Sequence, residues 1–241
     1  MMQVVFFTFL LVAVGANALP QQYFENGYST REERIVTGNI RKAIEQLVES
    51  IKEAGLDPLE VDKFEFEASI VPEFVTVKTY IDSLEFTGLS NIAINRLDYG
   101  PLTNRLRFDI SLPLLSFSVG DAGVKANVIG TGVTGQLSGS LRITQIRLTG
   151  EIRVNISIIS GISLRSVDAN FRIQRIESNL AMKFQDEDYS EQVNTILNET
   201  IPQILEVYKD EIDKNLSDLI KEVGNQLLGK SVMTGDQVLI A

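Results

Sequence analysis

The chain has 241 residues, 44% of them hydrophobic, and a formal net charge of −10 with neither histidine nor cysteine. Those two residues supply most nucleophiles, general bases and transition-metal ligands, and cysteine supplies the disulfides of many secreted domains, so most enzyme classes and any disulfide scaffold are excluded. The acidic balance also argues against nucleic acid and anionic lipid surfaces, leaving shape, apolar surface and carboxylates as the means of function.

The first element in chain order is Val4 to Val14, an apolar run broken by one Thr. It has the length of a signal-peptide core and is too short to span a bilayer, and Ala16-Asn17-Ala18 supplies the small-x-small cleavage pattern. Residues 1–18 are therefore expected to be a signal peptide, with a secreted, extracellular product. No later apolar run approaches bilayer length, so no stable membrane insertion is expected. Residues 19–34 are polar and irregular and read as a flexible arm, and 35–241 as a single domain.

Val36, Ile40, Ile44, Leu47, Ile51 and Ala54 recur at spacings of three and four, which predicts an amphipathic helix closed by Gly55. From Phe64 to about Phe184 the period becomes two. Phe64/Phe66/Ala68/Ile70, Leu106/Phe108/Ile110/Leu112 and Ile152/Val154/Ile156/Ile158 alternate with charged or hydroxyl residues, the pattern of an antiparallel sheet with one wet face. Helix returns after Phe184. Asp188-Tyr-Ser-Glu191 reads as a capping box, and Thr200-Ile-Pro-Gln203 as a second N-terminus with Pro202 in the first turn. An apolar stripe then runs from Ile201 through Leu205, Tyr208, Ile212, Leu216, Leu219 and Val223 to Leu227, with Gly229 as its stop.

A helix from Ile201 to Leu228 measures about 42 Å and a bent strand from Asn104 to Val119 about 50 Å. Both exceed what a compact globule with a radius of gyration of about 17 Å accommodates. The fold class expected is α+β, a long C-terminal helix wrapped by a strongly curved antiparallel sheet, with a second helix near the N-terminus and an apolar tube inside.

Gly130-Thr-Gly132-Val-Thr-Gly135 matches the dinucleotide fingerprint letter for letter. That fingerprint needs a helix next, and Leu137 to Ile143 alternates like a strand instead, so a bend in a curved sheet is the expectation. Asp186-Glu-Asp188 lacks the spacing of a calcium loop and reads as charge at a helix start. No residue pair stands out for catalysis, and neither an enzyme, a metal site nor a cofactor is expected. Sequons occur at Asn155, Asn198 and Asn215, with Asn155 on the wet face and Asn215 at the edge of the apolar stripe.

Four motifs carry a family resemblance: Leu56-Asp-Pro-Leu59, Phe86-Thr-Gly-Leu-Ser90, Leu112-Pro113 followed by a strand and Gly120, and Leu197-Asn-Glu199. In order and spacing they resemble the insect haemolymph juvenile-hormone-binding and takeout-like proteins across nearly the whole chain after the leader. The resemblance implies the tubular lipid-binding (TULIP-like) fold, which mite group 7 allergens share, and a secreted carrier of apolar ligands. This chain lacks the family's N-terminal cysteine pair and ends on Asp236 to Ala241 without the usual aromatic. The resemblance therefore extends to an apolar cargo without singling out juvenile hormone.

The resulting expectation is a carrier of an elongated terpenoid, fatty acid or other lipid in an internal tunnel. Its lining is assigned to Phe66, Phe108, Ile110, Phe117, Ile156 and Phe171 on strands and to Ile204, Leu205, Tyr208 and Ile212 on the helix, with the Tyr208 hydroxyl available to a ligand head group. The competing expectation is a secreted protein-interaction or defence protein with a filled core and no small-molecule ligand. No particular protein partner is implied.

Overall fold

The computed structural model describes residues 29–71, 75–128, 131–157 and 161–235. Helix α1 (Ser29–Glu53) is followed by seven strands: β1 (Leu59–Val71), β2 (Val75–Thr87), β3 (Ala93–Gly100), β4 (Arg105–Val128), β5 (Thr131–Ser157), β6 (Gly161–Phe184) and β7 (Glu187–Asp188). The chain then stays helical through α2 (Ser190–Thr195), a π-helical turn (Ile196–Thr200), α3 (Ile201–Val207) and α4 (Lys209–Gly235). All strands pair antiparallel in one sheet of order β1-β2-β4-β5-β6-β7, and β3 pairs with the first part of β4. The fold is thus α+β, as the sequence predicts.

Straight strands of 24 to 27 residues would run about 80–90 Å, and two lines of backbone irregularity bend them instead. One line crosses Asp62/Lys63 on β1, Ser83 (φ 56) on β2 and Gly120/Asp121 on β4, with Gly139 (φ 111) alongside on β5. The other passes Pro113/Leu114, Gln145 (φ 53) and Gln174/Arg175. At each crossing the strand's apolar side shifts parity: Leu112 and Ile110 are buried before the bend, and Phe117 and Val119 face inward after it. Curvature is therefore written as a slip in the two-residue period.

Helix α1 buries Ile40, Ala43, Ile44, Leu47 and Ile51 and ends at Gly55 (φ 65), whose neighbour Leu56 donates N–H to Ile51 C=O at 3.0 Å. It begins at Ser29, so the last residues of the segment expected to be an irregular arm are helical. Residues 1–18 and 19–28 lie outside the described residues. Ile40, Ile44 and Ile220 pack on Leu97, Tyr99, Leu106, Phe108, Ile110, Leu148, Ile152, Leu164 and Ala169, forming the core at one end of the sheet.

Three helix boundaries differ from expectation. Asp188 accepts a bond from Ser190 N–H at 2.9 Å but lies in β7, after a two-residue turn through Gln185 and Asp186, both at positive φ. Thr200 is itself helical (φ −68, ψ −45) and makes no cap, because the π-helical turn carries the chain past it. The helix does not stop at Gly229 but continues to Gly235, and its one break is at Tyr208 (φ −98, ψ 18). Gly132 and Gly135 pair with Asn127 and Val124 inside the sheet, so no helix follows the glycine motif; Gly130 lies outside the described residues.

Candidate functional site

The sheet's two faces separate cleanly at the end remote from the core. One register row crosses five strands as Phe64, Ile81, Ala122, Leu137 and Met182, and the next as Phe66, Thr79, Val124, Gly135 and Phe184. The opposite face presents Glu65, Tyr80, Gln136 and Lys183. Helices pack chiefly on β3 and β6, so the apolar rows lack the cover the core has. Phe64, Phe66 and Phe184 are 50%, 53% and 42% exposed. Between this region and the core, Leu84, Phe86, Phe117, Leu141 and Ile143 are half-buried. The inner face is a continuous apolar trough, filled at one end and bare at the other.

What holds the helices over this trough is a polar ladder on the edge of β6. Among the described residues that edge has no neighbouring strand along most of its length, so its outward N–H and C=O groups need partners. Side chains from the C-terminal helices provide them. Met182, Leu180 and Ser178 donate N–H to Ser190 Oγ (2.9 Å), Asn194 Oδ1 (2.9 Å) and Asn198 Oδ1 (2.6 Å). Farther along, Phe171, Ala169 and Leu164 donate to Asp213 Oδ1 (2.8 Å), Ser217 Oγ (2.9 Å) and Asn225 Oδ1 (2.7 Å). The three asparagines also return a bond: Nδ2 of Asn194, Asn198 and Asn225 donates to the C=O of Leu180 (2.8 Å), Ser178 (3.1 Å) and Leu164 (3.3 Å). Each amide thus stands in for a strand neighbour.

The ladder is interrupted between Asn198 and Asp213, and a cavity of about 210 Å³ opens there. Phe171, Ile173 and Ile176 of β6 form one wall, and Pro202, Leu205 and Ile212 the other. Arg172, Arg175, Glu206 and Lys209 supply its polar surface. The Lys209 ammonium is held by Asp213 and by Asn170 Oδ1 at 3.4 Å.

The structure brings three of the expected lining residues together in the cavity: Phe171, Leu205 and Ile212. Phe66 and Phe117 lie on the trough, at its bare end and its middle. Phe108 and Ile110 belong to the filled core beneath α1, where helix packing takes the space a ligand would need. Ile204 and Tyr208 are 43% and 51% exposed and do not line the cavity. Ile156 has its backbone in β5, opposite Ile162, and its side chain lies outside the described residues. The expected tube is an open trough among the described residues, since helical side chains rather than β1 cover the β6 edge.

Sequence reasoning missed the ladder, although its signal was present. Ser190, Asn194 and Asn198 recur every four residues, as do Asp213 and Ser217, on the flank of the apolar stripe.

Electrostatics outside the trough are structural. On the outer face Arg105, Arg107 and Arg153 converge on Glu151 at 3.5, 3.3 and 2.9 Å, and Arg147 grips Asp109 with two nitrogens. The Arg153 hydrogen bond leads in holding the Glu151 carboxyl below its ordinary range, and that from Arg147 does the same for Asp109. Asp57, buried between α1 and β1, accepts N–H bonds from Gly88 (2.9 Å) and Ser90. Burial opposes its ionisation, but the bonds from Ser90 and Gly88 outweigh it and leave the carboxyl below its ordinary value. Among the described residues there is no cluster of three or more metal-ligating side chains, and no helix is long and apolar enough to cross a membrane.

Fold and trough together define the class: an α+β protein whose bent, open sheet offers an apolar inner face beneath an edge-mounted helix. The chain belongs to the haemolymph juvenile hormone binding protein family, whose model matches residues 4–234. No curated protein sequence matches it. Among solved structures it is similar to Takeout 1 of Epiphyas postvittana, at 15% identity and a TM-score of 0.38 over 83% of this chain and 90% of that one. It is also similar to a lipopolysaccharide binding protein, at 15% identity and a TM-score of 0.25, covering 83% of this chain but 39% of that one.

Proposed function

We propose that the protein is a secreted extracellular carrier of an elongated apolar ligand, a terpenoid, fatty acid or other lipid, laid along the inner face of the sheet. The observation that carries this reading is the apolar trough, which leads from exposed Phe64 and Phe66 to a cavity walled by Phe171, Ile173, Leu205 and Ile212. Membership of the hormone-binding family and the apolar leader at Val4 to Val14 support the same reading. A cavity of about 210 Å³ is below the roughly 300–1,000 Å³ typical of drug-sized ligand sites, so it holds one end of such a molecule and the trough takes the remainder. Binding is driven by burial, at about 0.8 kcal/mol per CH₂ removed from water.

Mass spectrometry of organic extracts from the native protein tests this. A co-purifying lipid, or saturable uptake of a fluorescent apolar probe by the delipidated protein, is the expected result. A protein that is reproducibly empty and takes up no probe overturns the carrier reading.

A further inference from the structure

We infer that the cavity selects cargo whose head group carries a hydrogen-bond donor and acceptor side by side, a long-chain primary amide above all. This inference rests on the carrier reading and specifies the chemistry of its ligand.

The argument starts from the spacing of the ladder. Four helical residues advance about 6.0 Å and two strand residues about 6.6 Å, so rungs on an antiparallel helix and strand fall nearly in step. Ser190, Asn194 and Asn198 accordingly meet Met182, Leu180 and Ser178, and Asp213 and Ser217 meet Phe171 and Ala169. Continued into the gap between Asn198 and Asp213, each series gives one position where no such partner stands among the described residues. Pro202 falls opposite Ile176, and Lys209 opposite Ile173.

Pro202 has no polar side chain and no N–H. Lys209 is already engaged by Asp213 and Asn170. Ile176 lies two residues from Ser178, so strand alternation turns its N–H and C=O to the same side as those that Asn198 engages. Among the described residues no side chain meets them, and Ile176 and Pro202 both line the cavity.

The chain itself shows what fits such a position. Three times a primary amide bridges the N–H and C=O of a single β6 residue, at Leu164, Ser178 and Leu180. A ligand amide beneath Pro202 repeats that bidentate pattern at Ile176 and sends its alkyl chain past Leu205 and Phe171 toward the trough. A protonated carboxylic acid offers the same pair of bonds, and its ionised form only the acceptor. An ester has no donor and, where it displaces water, leaves the Ile176 carbonyl unpartnered, which is a loss rather than a neutral change.

The test uses the delipidated full-length secreted protein carrying a fluorescent apolar probe, displaced by oleamide, oleic acid and methyl oleate, so that only the head group varies. The amide is expected to displace the probe at about tenfold lower concentration than the ester, the equivalent of one hydrogen bond. Pro202→Asn places a fourth amide in the ladder opposite Ile176 and is expected to erase that preference, so that amide and ester displace the probe at the same concentration. Independently of the variant, hydrogen exchange at the Ile176 amide should slow on adding oleamide and not on adding methyl oleate. Equal potency of amide and ester, or an Ile176 amide indifferent to oleamide, overturns this inference while the carrier reading stands. A protein that binds neither probe nor any of the three lipids overturns both.

Discussion

Asp57 joins two segments that lie thirty residues apart in the chain. Its carboxylate, at the start of β1, receives the N–H groups of Gly88 and Ser90 at the end of β2. Two of the motifs that carry the family resemblance, Leu56-Asp-Pro-Leu59 and Phe86-Thr-Gly-Leu-Ser90, are therefore two halves of one contact. Gly88 has φ 100 and lies against the Leu114 carbonyl, where a side chain would collide, so glycine is the residue this contact tolerates. Asp57→Asn keeps the shape but turns one of the two accepting oxygens into an amide donor that faces an N–H, and a loss of about 1–3 kcal/mol is expected in urea denaturation at neutral pH. The pH dependence follows from the direction of the shift. The folded carboxyl lies below its ordinary value of 3.8, so its stabilisation is complete above that value and disappears as pH falls through the depressed folded value. Wild-type protein should thus lose stability as pH falls below about 4, and Asp57→Asn should lose less over the same fall. Equal slopes for the two proteins would remove Asp57 from the account of acid sensitivity.

At the scale of elements, the β6 edge ladder explains a third motif. Leu197-Asn-Glu199 resembles a helix start, but in the fold Asn198 lies within the π-helical turn and clamps Ser178 by both N–H and C=O. The asparagine is fixed by what it touches on another element, which a helical wheel does not display. The elements themselves were legible because apolar periods of two and of three to four dominate their stretches. The bends were not, because a slip in period at Gln145 or Ser83 looks like noise until neighbouring strands slip beside it. Asn198→Leu should leave the Ser178 N–H and C=O without partners, costing about 1–3 kcal/mol. Its signature is faster hydrogen exchange at Ser178 and Leu180, with Leu164 unchanged at the far end of the ladder. A uniform rise across β6 would mean that the helix docks as one body rather than rung by rung. The same geometry separates the three sequons. Asn155 and Asn215 are exposed, whereas the amide nitrogen of Asn198 is committed to the sheet edge. Glycopeptide mapping of the protein expressed through the secretory pathway of a eukaryotic host should find glycans on Asn155 and Asn215, and Asn198 unmodified. Full occupancy at Asn198 would show that the ladder forms without that rung.

Across the whole molecule, the inner face runs from the filled core under α1, through a middle where Phe86 and Phe117 are half-buried and Val119 is buried, to an end where Phe66 is 53% exposed. The sequence marks all these positions alike as alternating apolar residues, so periodicity assigned Phe108 and Phe66 to one lining. Only the placement of the helices separates a residue that packs from one left exposed. The gradient has a consequence for chain length. A ligand whose head lies in the cavity reaches the bare end of the trough only if its tail is long, so the distal rows should act on long ligands and be indifferent to short ones. Phe66→Asp tests this at little cost to the fold, because the ring is already half in water and surface substitutions of this kind usually stay within about 0.5 kcal/mol. Saturating ligand at about 100 times its dissociation constant adds about 2.7 kcal/mol to stability, which a thermal melt reads directly. Wild-type protein should therefore gain more from an 18-carbon ligand than from a 10-carbon one at equal concentration. In Phe66→Asp the 18-carbon ligand should bind about tenfold more weakly, with the 10-carbon ligand unchanged. If both weaken equally, Phe66 acts on the fold rather than on the cargo, and the ligand ends short of the distal trough.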